Sequence, residues 1–263
     1  MFRDAHKDLY LHILSDALGA DVRLIEHRYT SGGCINNAVK LSTGKGLFFL
    51  KWNPDIPADM FEKEARGLQL LRDTGKLRIP EVIKYGEVEG KQYLLLENIE
   101  SGASSSDYWE DFGRSLAALH KEHTAENYGL DHDNYIGRLP QDNDWNPDWI
   151  SLFMEQRLEY QLKLALRGGL VNHAFADRYR SFYHHLPNLL PINPPSLLHG
   201  DLWSGNVMTG PDGKVCLIDP AVYYGHREIE LAFTQMFGGF SQSFYNAYQE
   251  AYPLDLGFDE RID

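Results

Sequence analysis

Residues 198–206 read Leu-His-Gly-Asp-Leu-Trp-Ser-Gly-Asn, and a second run, Ile-Asp-Pro at 218–220, follows them. An Asp and an Asn five positions apart on a loop, with a second Asp beyond a short hairpin, can place one carboxylate at an acceptor hydroxyl and two oxygen ligands on Mg²⁺. In that arrangement Asp201 takes the proton of the attacking hydroxyl, and Asn206 and Asp219 hold the metal. The alternative is that each Asp only caps a turn or ends a strand. The joint spacing favours a phosphotransfer site.

The N-terminal part of the chain supplies candidates for the nucleotide side of such a site. Gly32 and Gly33 lie in a turn between two predicted strands, where glycine lets backbone N–H groups approach phosphates. Lys51 ends the apolar strand 47–50, and we expect it to reach the α and β phosphates. Glu64, on a predicted helix, can pair with Lys51 and hold it in place. Taken alone, each signal has an alternative: a plain hairpin turn, or a charge pair on the helix surface.

A strand at 92–98 predicts the adenine site. Its apolar residues 94–96 lead into Glu97, Asn98 and Ile99, and the pattern changes directly afterwards from strands to helices. We therefore expect the backbone of these three residues to meet the adenine.

Hydrophobic periodicity predicts an α+β chain of two lobes. Residues 1–98 are predicted to form an antiparallel sheet with one main helix at 59–74, and residues 99–263 are predicted to be mostly helical. The Gly/Ser-rich stretch 101–106 is expected to link the lobes. Further helices are predicted in the second lobe, at 149–166, 229–237 and 241–252. The pattern places ATP binding in the first lobe and the catalytic and substrate residues in the second.

The charge balance excludes several classes of partner. The 263 residues include 25 Lys and Arg against 38 Asp and Glu, a net charge of −13. Such acidity argues against nucleic acid and against an anionic membrane surface, which bind through Lys and Arg. No apolar run approaches the roughly 18 residues of a membrane span, and the charged N-terminus is unlike a signal peptide. Because Cys34 and Cys216 cannot build a disulfide framework, we predict a cytoplasmic protein.

Other nucleotide-binding and hydrolase motifs are absent from the sequence. The turn at Lys45 lacks two parts of a Walker A motif, because position 39 is Val39 and no Ser or Thr follows the lysine. Neither G-x-G-x-x-G nor G-x-S-x-G occurs. His120 and His123, at the end of a predicted helix, suit surface residues that complement the helix dipole better than metal ligands.

At these residues the chain resembles the fructosamine kinase (ketosamine-3-kinase) family of protein-kinase-like phosphotransferases. The resemblance spans nearly the whole chain and is most specific at 198–206, since His-Gly-Asp alone is shared with aminoglycoside, choline and homoserine kinases. Other matching segments are 31–36, 61–68, 133–137 and 218–228. Gly200 in place of an arginine, and Pro220 in place of Phe-Gly, argue against protein kinase activity.

The resemblance implies a two-lobed, protein-kinase-like fold that uses ATP and Mg²⁺. It implies transfer of the γ-phosphoryl group of ATP to the 3-hydroxyl of a ketosamine, which is either a small molecule or a glycated amine on a protein. The phosphorylated adduct is unstable, which links the family to deglycation. Family members usually continue into a further helix after a segment like 258–263, so this chain is expected to be short at its C-terminus.

Trp203 and His226 are the candidate substrate residues. Trp203 lies inside the run 198–206, here named the catalytic loop, and is expected to stack on a sugar face or over a substrate ammonium. A packed core tryptophan is the alternative. His226, in the run 226–228, is expected to contact the substrate or the catalytic loop. The resemblance also marks the polar run 133–135, for which the sequence gives no mechanism, and a structural loop is an equally good interpretation.

Cys34 carries a separate hypothesis. A thiol in a phosphate-binding loop would be exposed and near positive potential, conditions that favour the thiolate. The resemblance supports redox control at this position, through a homodimer linked at Cys34. The alternative is a small side chain that only fills the loop.

The sequence leaves two rival functions open. One is a kinase for another small alcohol, such as an aminoglycoside or choline. The other is a catalytically silent nucleotide-binding or redox-sensing module. Intact Lys51, Asp201, Asn206 and Asp219 count against the silent module.

Overall fold

The computed structural model describes residues 6–30 and 36–262, and the chain divides into two compact units. The first unit holds residues up to 106 together with 208–219, and the second holds 107–207 with 220–263. The division falls later than the predicted boundary at 98/99. The reason is that Gly102 N–H donates to Thr209 O at 3.3 Å, a bond that keeps the Gly/Ser-rich stretch in the first unit.

The first unit is built on an antiparallel sheet. Helix α1 (Lys7–Leu18) precedes it and helix α2 (Met60–Asp73) interrupts it. Within the described residues its five strands are β1 (Leu24–Tyr29), β2 (Asn37–Thr43), β3 (Gly46–Asn53), β4 (Val82–Val88) and β5 (Lys91–Glu97). The order across the sheet is β1-β2-β3-β5-β4. This agrees with the predicted pair of hairpins around one main helix.

Alternating apolar residues bury the sheet against α1. Val39, Leu41 and Leu50 are buried side chains of β2 and β3, and they cluster with Tyr10 and Ile13 of α1. Fully burying an aliphatic or aromatic side chain of this size stabilises the fold by about 1.5–3 kcal/mol. The strand that carries Lys51 is therefore held rigidly.

Helix α2 follows the predicted spacing. Phe61, Ala65, Leu68 and Leu71 repeat at helical intervals, and all four are buried. Glu64 precedes Ala65 on the edge of this buried face. The apolar packing of α2 therefore fixes the direction in which Glu64 extends.

The second unit is mostly helical. Its helices are α3 (Tyr108–Glu122), α4 (Trp149–Leu152), α5 (Tyr160–Arg167), α6 (His173–Tyr183), α7 (Leu186–Leu189), α8 (Arg227–Met236), α9 (Gln242–Ala251) and α10 (Phe258–Arg261). A π-helix, Phe153–Glu159, joins α4 to α5, so the helix predicted at 149–166 has three segments. None of the helices in the described ranges is long and apolar enough to cross a membrane.

Short strand pairs complete the structure. They are β6 (Asn134–Ile136) with β7 (Leu139–Gln141), β8 (Ser196–Leu198) with β11 (Tyr223–Gly225), and β9 (Val207–Thr209) with β10 (Val215–Leu217). The pair β9–β10 is the predicted hairpin before Asp219. The β8–β11 pair joins the strand that enters the catalytic loop to the strand that follows Pro220.

Helices α3 and α9 pack closely in the core of the second unit. A Cβ at Gly113 of α3 would lie only 2.3 Å from Phe244 O, so glycine permits the approach of the two backbones. The rings of Phe112 and Phe244 lie 4.8 Å apart. This packing fixes both helices, which carry His120 and Tyr248.

Candidate functional site

Lys51 lies in a buried ion-pair cluster of the first unit. The sheet register places it between Ala38 of β2 and Leu94 of β5. Its side chain is 8% exposed, and its Nζ donates to Glu64 Oε1 at 2.7 Å and to Asp219 Oδ1. Burial alone lowers the pKa of Lys51, but the carboxylates of Asp219 and Glu64 outweigh burial and raise that pKa above its ordinary value. Lys51 is therefore a fixed cation.

Glu64 is a partly buried carboxylate, 14% exposed, that depends on Lys51. Burial raises the pKa of Glu64, the Lys51 charge lowers it and the Asp219 charge raises it; the net direction is upward. A carboxylate in such surroundings is costly to ionise unless its cation is present. The structure thus brings together the Lys and Glu that the sequence spacing paired, and their roles toward ATP stay predictions.

Asp219 has an unusual backbone conformation. Its φ of 55° is in the left-handed region, which costs a non-glycine residue about 1–2 kcal/mol. Pro220 follows, and a residue before proline ordinarily prefers extended backbone. The Asp219 side chain is 41% exposed, and one of its carboxylate oxygens accepts a hydrogen bond from Lys51. Strain of this kind persists only where the surrounding structure fixes it, and it clusters at functional sites.

The predicted adenine segment, 97–99, begins at the last residue of β5. The carboxylate of Glu97 accepts a hydrogen bond from Arg78 at 2.6 Å. Asn98 N–H donates to Leu47 O at 3.4 Å, and Ile99 is buried. The Glu97 side chain is engaged with Arg78, and the Glu97 N–H donates to Glu81 O at 2.8 Å, so the contact of this segment with adenine stays a prediction.

Asp201 and Asn206 of the catalytic loop are hydrogen-bonded to each other in the second unit. Asn206 closes a short 3₁₀ turn, Ser204–Asn206, and its Nδ2 donates to Asp201 O at 2.8 Å and to Asp201 Oδ2 at 3.0 Å. Both bonds use Nδ2 and do not involve the amide oxygen Oδ1. The Asp201 carboxylate is oriented by the residue that sequence analysis grouped with it.

Gly200 allows close contact between the catalytic loop and the segment after Pro220. Its φ is 82°, and a Cβ there would lie 2.0 Å from Ala221 O. Ala221 N–H also donates to His199 O at 2.9 Å. Two constraints therefore require glycine at position 200: the left-handed backbone conformation, and the lack of space for a Cβ atom.

Glu230 of α8 anchors the catalytic loop, and sequence reasoning missed it. Its buried carboxylate accepts from the backbone N–H groups of Gly200 at 2.7 Å and His199 at 3.2 Å. It also accepts from His120 Nε2 at 2.9 Å, while His120 Nδ1 lies 2.8 Å from the Tyr248 hydroxyl. Burial raises the pKa of Glu230, but hydrogen bonding and charge from His120 outweigh it and the pKa is lowered. The prediction that His120 is a surface residue is wrong, because it is fully buried against Glu230.

The two predicted substrate residues differ in exposure. Trp203 is 38% exposed, with its ring 5.9 Å from the ring of Phe237. His226 is 1% exposed; its Nε2 donates to Pro191 O at 3.0 Å and its Nδ1 accepts from Glu228 N–H at the start of α8. His226 therefore caps a helix in the interior, and of the two residues Trp203 is the accessible one.

Gly32, Gly33 and Cys34 lie outside the described residues. The phosphate-loop and redox hypotheses at these positions stay predictions. Cys216, by contrast, is buried on β10, and burial raises the pKa of its thiol to about 12. A thiol of that kind is a packing residue rather than a reactive thiolate.

The chemistry of the donor atoms fits ATP with magnesium. Mg²⁺ takes oxygen ligands, usually one or two carboxylates together with phosphate oxygens. Asp219 retains a partly exposed carboxylate, and the amide of Asn206 uses only its nitrogen for hydrogen bonds to Asp201. Lys51 supplies a fixed positive charge of the kind that pairs with phosphates.

Comparison with known proteins identifies relatives over nearly the whole chain. The fructosamine kinase family model matches residues 7–263. The chain is 39% identical over 250 residues to a probable ketoamine kinase of Synechocystis sp., covering 94% of this chain and 83% of that protein. It is 40% identical over 236 residues to the chloroplastic protein-ribulosamine 3-kinase of Arabidopsis thaliana, covering 88% of this chain and 72% of that protein.

Comparison with solved structures leads to the same family. A crystal structure assigned as a fructosamine-3-kinase from Haemophilus somnus 129PT matches with a TM-score of 0.86 at 31% identity, covering 96% of this chain and 85% of that one. An aminoglycoside phosphotransferase matches with a TM-score of 0.61 at 12% identity, covering 94% of this chain and 82% of that one. At this identity the match shows a shared fold alone. The predicted α+β, protein-kinase-like fold is confirmed.

Proposed function

We propose that this chain, which belongs to the fructosamine kinase family, transfers the γ-phosphoryl group of ATP to the 3-hydroxyl of a ketosamine. The observation that carries the proposal is the buried Lys51 side chain, whose ammonium contacts the carboxylates of Glu64 and Asp219. Burying a lysine between two carboxylates is costly, and a sheet has no structural need of it. A kinase needs this arrangement to bind phosphates.

Lys51 is proposed to pair with the α and β phosphates. Glu64 keeps the Lys51 ammonium in place, because its 2.7 Å contact ties β3 to α2. The backbones of Gly32 and Gly33 are proposed to approach the phosphates, and the backbone from Glu97 to Ile99 to bind the adenine.

Asp201 is proposed to be the general base. As the acceptor hydroxyl oxygen attacks the γ-phosphorus, the hydroxyl proton passes to the Asp201 carboxylate and ADP leaves with the electrons of the broken bond. The Asn206 hydrogen bond to Asp201 Oδ2 orients that carboxylate before the substrate arrives. A positioned base of this kind contributes about 10²–10⁴ in rate.

Asn206 and Asp219 are proposed to supply the protein ligands of Mg²⁺. When bound, the ion neutralises charge on the transferring phosphoryl group. The left-handed backbone of Asp219 sets the direction of its carboxylate, and the Asn206 amide is turned by its two bonds to Asp201.

The acceptor is proposed to be a ketosamine, either free or on a protein, in deglycation. A ketosamine carries a secondary amine that is cationic at neutral pH, and the exposed indole of Trp203 offers a face for it. The net charge of −13 favours approach of a cation. The Arabidopsis relative named a protein-ribulosamine 3-kinase supports a protein-bound acceptor. We place the reaction in the cytoplasm, on the sequence ground of cysteine content.

A substrate panel tests the proposal. ATP consumption is measured with Mg²⁺ and ribulose-lysine, fructose-lysine, choline or kanamycin as acceptor. We expect turnover with a ketosamine and background rates with choline and kanamycin. Turnover of kanamycin or choline alone would assign a different alcohol as substrate, and ATP binding without turnover of any acceptor would overturn the kinase function.

A further inference from the structure

The polar run 133–135, which sequence analysis left without a mechanism, belongs to the β6–β7 hairpin of the second unit. Three amide side chains of this hairpin and the residues after it are almost fully buried: Asn134 is 4% exposed, Gln141 6% and Asn143 0%. We propose that these three side chains, the amide clamp, position the backbone at 220–222 and so act as positioning residues for the neighbouring Asp219.

The amide clamp binds two consecutive backbone carbonyls. Asn134 Nδ2 donates to Val222 O at 2.8 Å, and Gln141 Nε2 donates to Ala221 O at 3.2 Å. The clamp is also bonded internally, since Asn134 Oδ1 accepts from Gln141 Nε2 and from Asn143 Nδ2, both at 2.9 Å. Asn134 and Gln141 are opposite each other in the hairpin register. The hairpin thus presents its donors to the segment at 220–222 in one fixed geometry.

The outer end of the clamp is fixed by Arg157 from the π-helix. The Arg157 guanidinium donates to Asn143 Oδ1 at 2.7 Å and lies over the Tyr223 ring, 4.4 Å from its centroid. Asn143 N–H donates to Asp133 Oδ1 at 2.9 Å. A π-helical turn frequently marks a functional site. Arg157 can only donate, and the carbonyls of Ala221 and Val222 can only accept. These two ends fix which group donates in each hydrogen bond of the clamp.

The clamped segment is held on its other side by the catalytic loop. Ala221 N–H donates to His199 O at 2.9 Å, and Gly200 contacts Ala221 O where any side chain would clash. One residue, Ala221, is therefore bonded at its carbonyl by a side-chain donor of the hairpin and at its N–H by a backbone acceptor of the loop that leads to Asp201. Movement of the hairpin would be passed to the backbone at Ala221.

The backbone of Asp219 gives the clamp a role beyond filling space. Asp219 is left-handed and precedes Pro220, a strained combination that lasts only if the flanking backbone is fixed. The buried carbonyls of Ala221 and Val222 also need donors, which apolar side chains cannot provide. The inference rests on the proposed function in one respect, the role of Asp219 as a metal ligand.

The test compares Gln141→Met with Asn193→Leu. Gln141→Met keeps the side-chain length and removes the donors to Ala221 O and Asn134. Asn193 is a matched control, because it is 7% exposed and its amide binds Asp255 at 2.6 Å and Arg227 at 3.2 Å, away from the clamp. For both variants we would measure the melting temperature, kcat, KM for the ketosamine, and deuterium uptake of peptides covering 218–225.

We expect Gln141→Met to raise deuterium uptake at 221–223 and to lower kcat by about 10- to 100-fold, the usual effect of losing a group that orients a metal ligand. The ketosamine KM should stay near its wild-type value. Asn193→Leu, at a comparable loss of melting temperature, should show neither change. The positioning role of the clamp would be overturned if Gln141→Met took up deuterium at the wild-type level, or if both variants lost kcat equally. If the wild-type chain phosphorylates no ketosamine, the proposed function fails, and the uptake measurement still decides the clamp by itself.

Discussion

The carboxylate of Glu230 accepts a hydrogen bond from the backbone N–H of Gly200 at 2.7 Å, one residue before the proposed base Asp201. Glu230 is 2% exposed and also accepts from the fully buried His120. A helix that packs in the core of the second unit thus fixes the start of the catalytic loop. The geometry of the loop therefore depends on a buried charge of helix α8.

Acidification should weaken this anchor. The folded-state pKa of Glu230 lies below its ordinary value of 4.5, so its contribution to stability is fully present above that value and is lost as pH falls through the folded pKa. Glu230→Gln removes the titrating group and breaks a buried pair, at a cost of about 3–5 kcal/mol near neutral pH. Urea unfolding at pH 7 and below pH 4.5 should show the difference between wild type and variant shrinking with acid.

Tyr248→Phe is the matched control for the anchor. It removes the hydroxyl that bonds His120 Nδ1 and also pairs with Arg227, and we expect a loss of about 0.5–1.5 kcal/mol that varies little over the same pH range. A Glu230→Gln penalty that is constant with pH would contradict a carboxylate anchor.

Gly200→Ala should disable the catalytic loop. The left-handed backbone alone costs about 1–2 kcal/mol with a Cβ, and the added atom would lie 2.0 Å from Ala221 O. Gly169→Ala is a control with a similar φ of 68° and no atom within 4 Å of the new Cβ. Thermal melts should show a clearly larger loss for Gly200→Ala, together with loss of turnover. Equal melting temperatures for the two variants would refute the steric argument.

Trp203→Ala should affect the ketosamine more than ATP. A cation–π contact worth about 0.5–2 kcal/mol predicts a rise of about 2- to 30-fold in the ketosamine KM. The ATP KM should be unchanged. Trp145, which is 47% exposed, provides the control variant Trp145→Ala. Steady-state kinetics with each substrate varied in turn would reject the contact if the ketosamine KM of Trp203→Ala equals that of wild type.

Oxidation should act through Cys34 and not through Cys216. A buried thiol whose pKa is raised reacts slowly with peroxide. We expect peroxide to produce a dimer and a loss of activity, both reversed by dithiothreitol and both absent in Cys34→Ser. Non-reducing electrophoresis with parallel activity assays provides the readout. Oxidised wild type that stays monomeric and active would remove the redox hypothesis.

Several features of the fold and site could be read from local sequence patterns. The helical spacing of α2 and the apolar run before Lys51 predict a helix and a strand whose side chains meet, and the structure pairs Lys51 with Glu64 at 2.7 Å. The run at 198–206 and the aspartate at 219 indicate the family. These features depend on residues that are near one another in sequence, so hydrophobic periodicity and motif spacing are enough to predict them.

Long-range polar contacts could not be predicted in the same way. Glu230 lies thirty positions after Gly200, and a glutamate on an amphipathic helix is ordinarily a surface residue. His120 likewise looks like a helix-end surface residue until its partner is known. The amide clamp is built from two Asn, a residue type that usually indicates a turn, and one Gln, a residue type that is mostly exposed. In each case the partner is set by tertiary packing rather than by neighbours in sequence.

The central claim is that Asp201 transfers the acceptor proton when a ketosamine is phosphorylated at its 3-hydroxyl. The most direct measurement is the rate of phosphorylation of ribulose-lysine by wild type and by Asp201→Asn, with the phosphorylated position of the product determined by NMR. We predict a 3-phosphate product, with a rate lower by about 10²–10⁴ in the variant at an unchanged ATP affinity. A wild-type rate in Asp201→Asn, or phosphate at another hydroxyl, would contradict the claim.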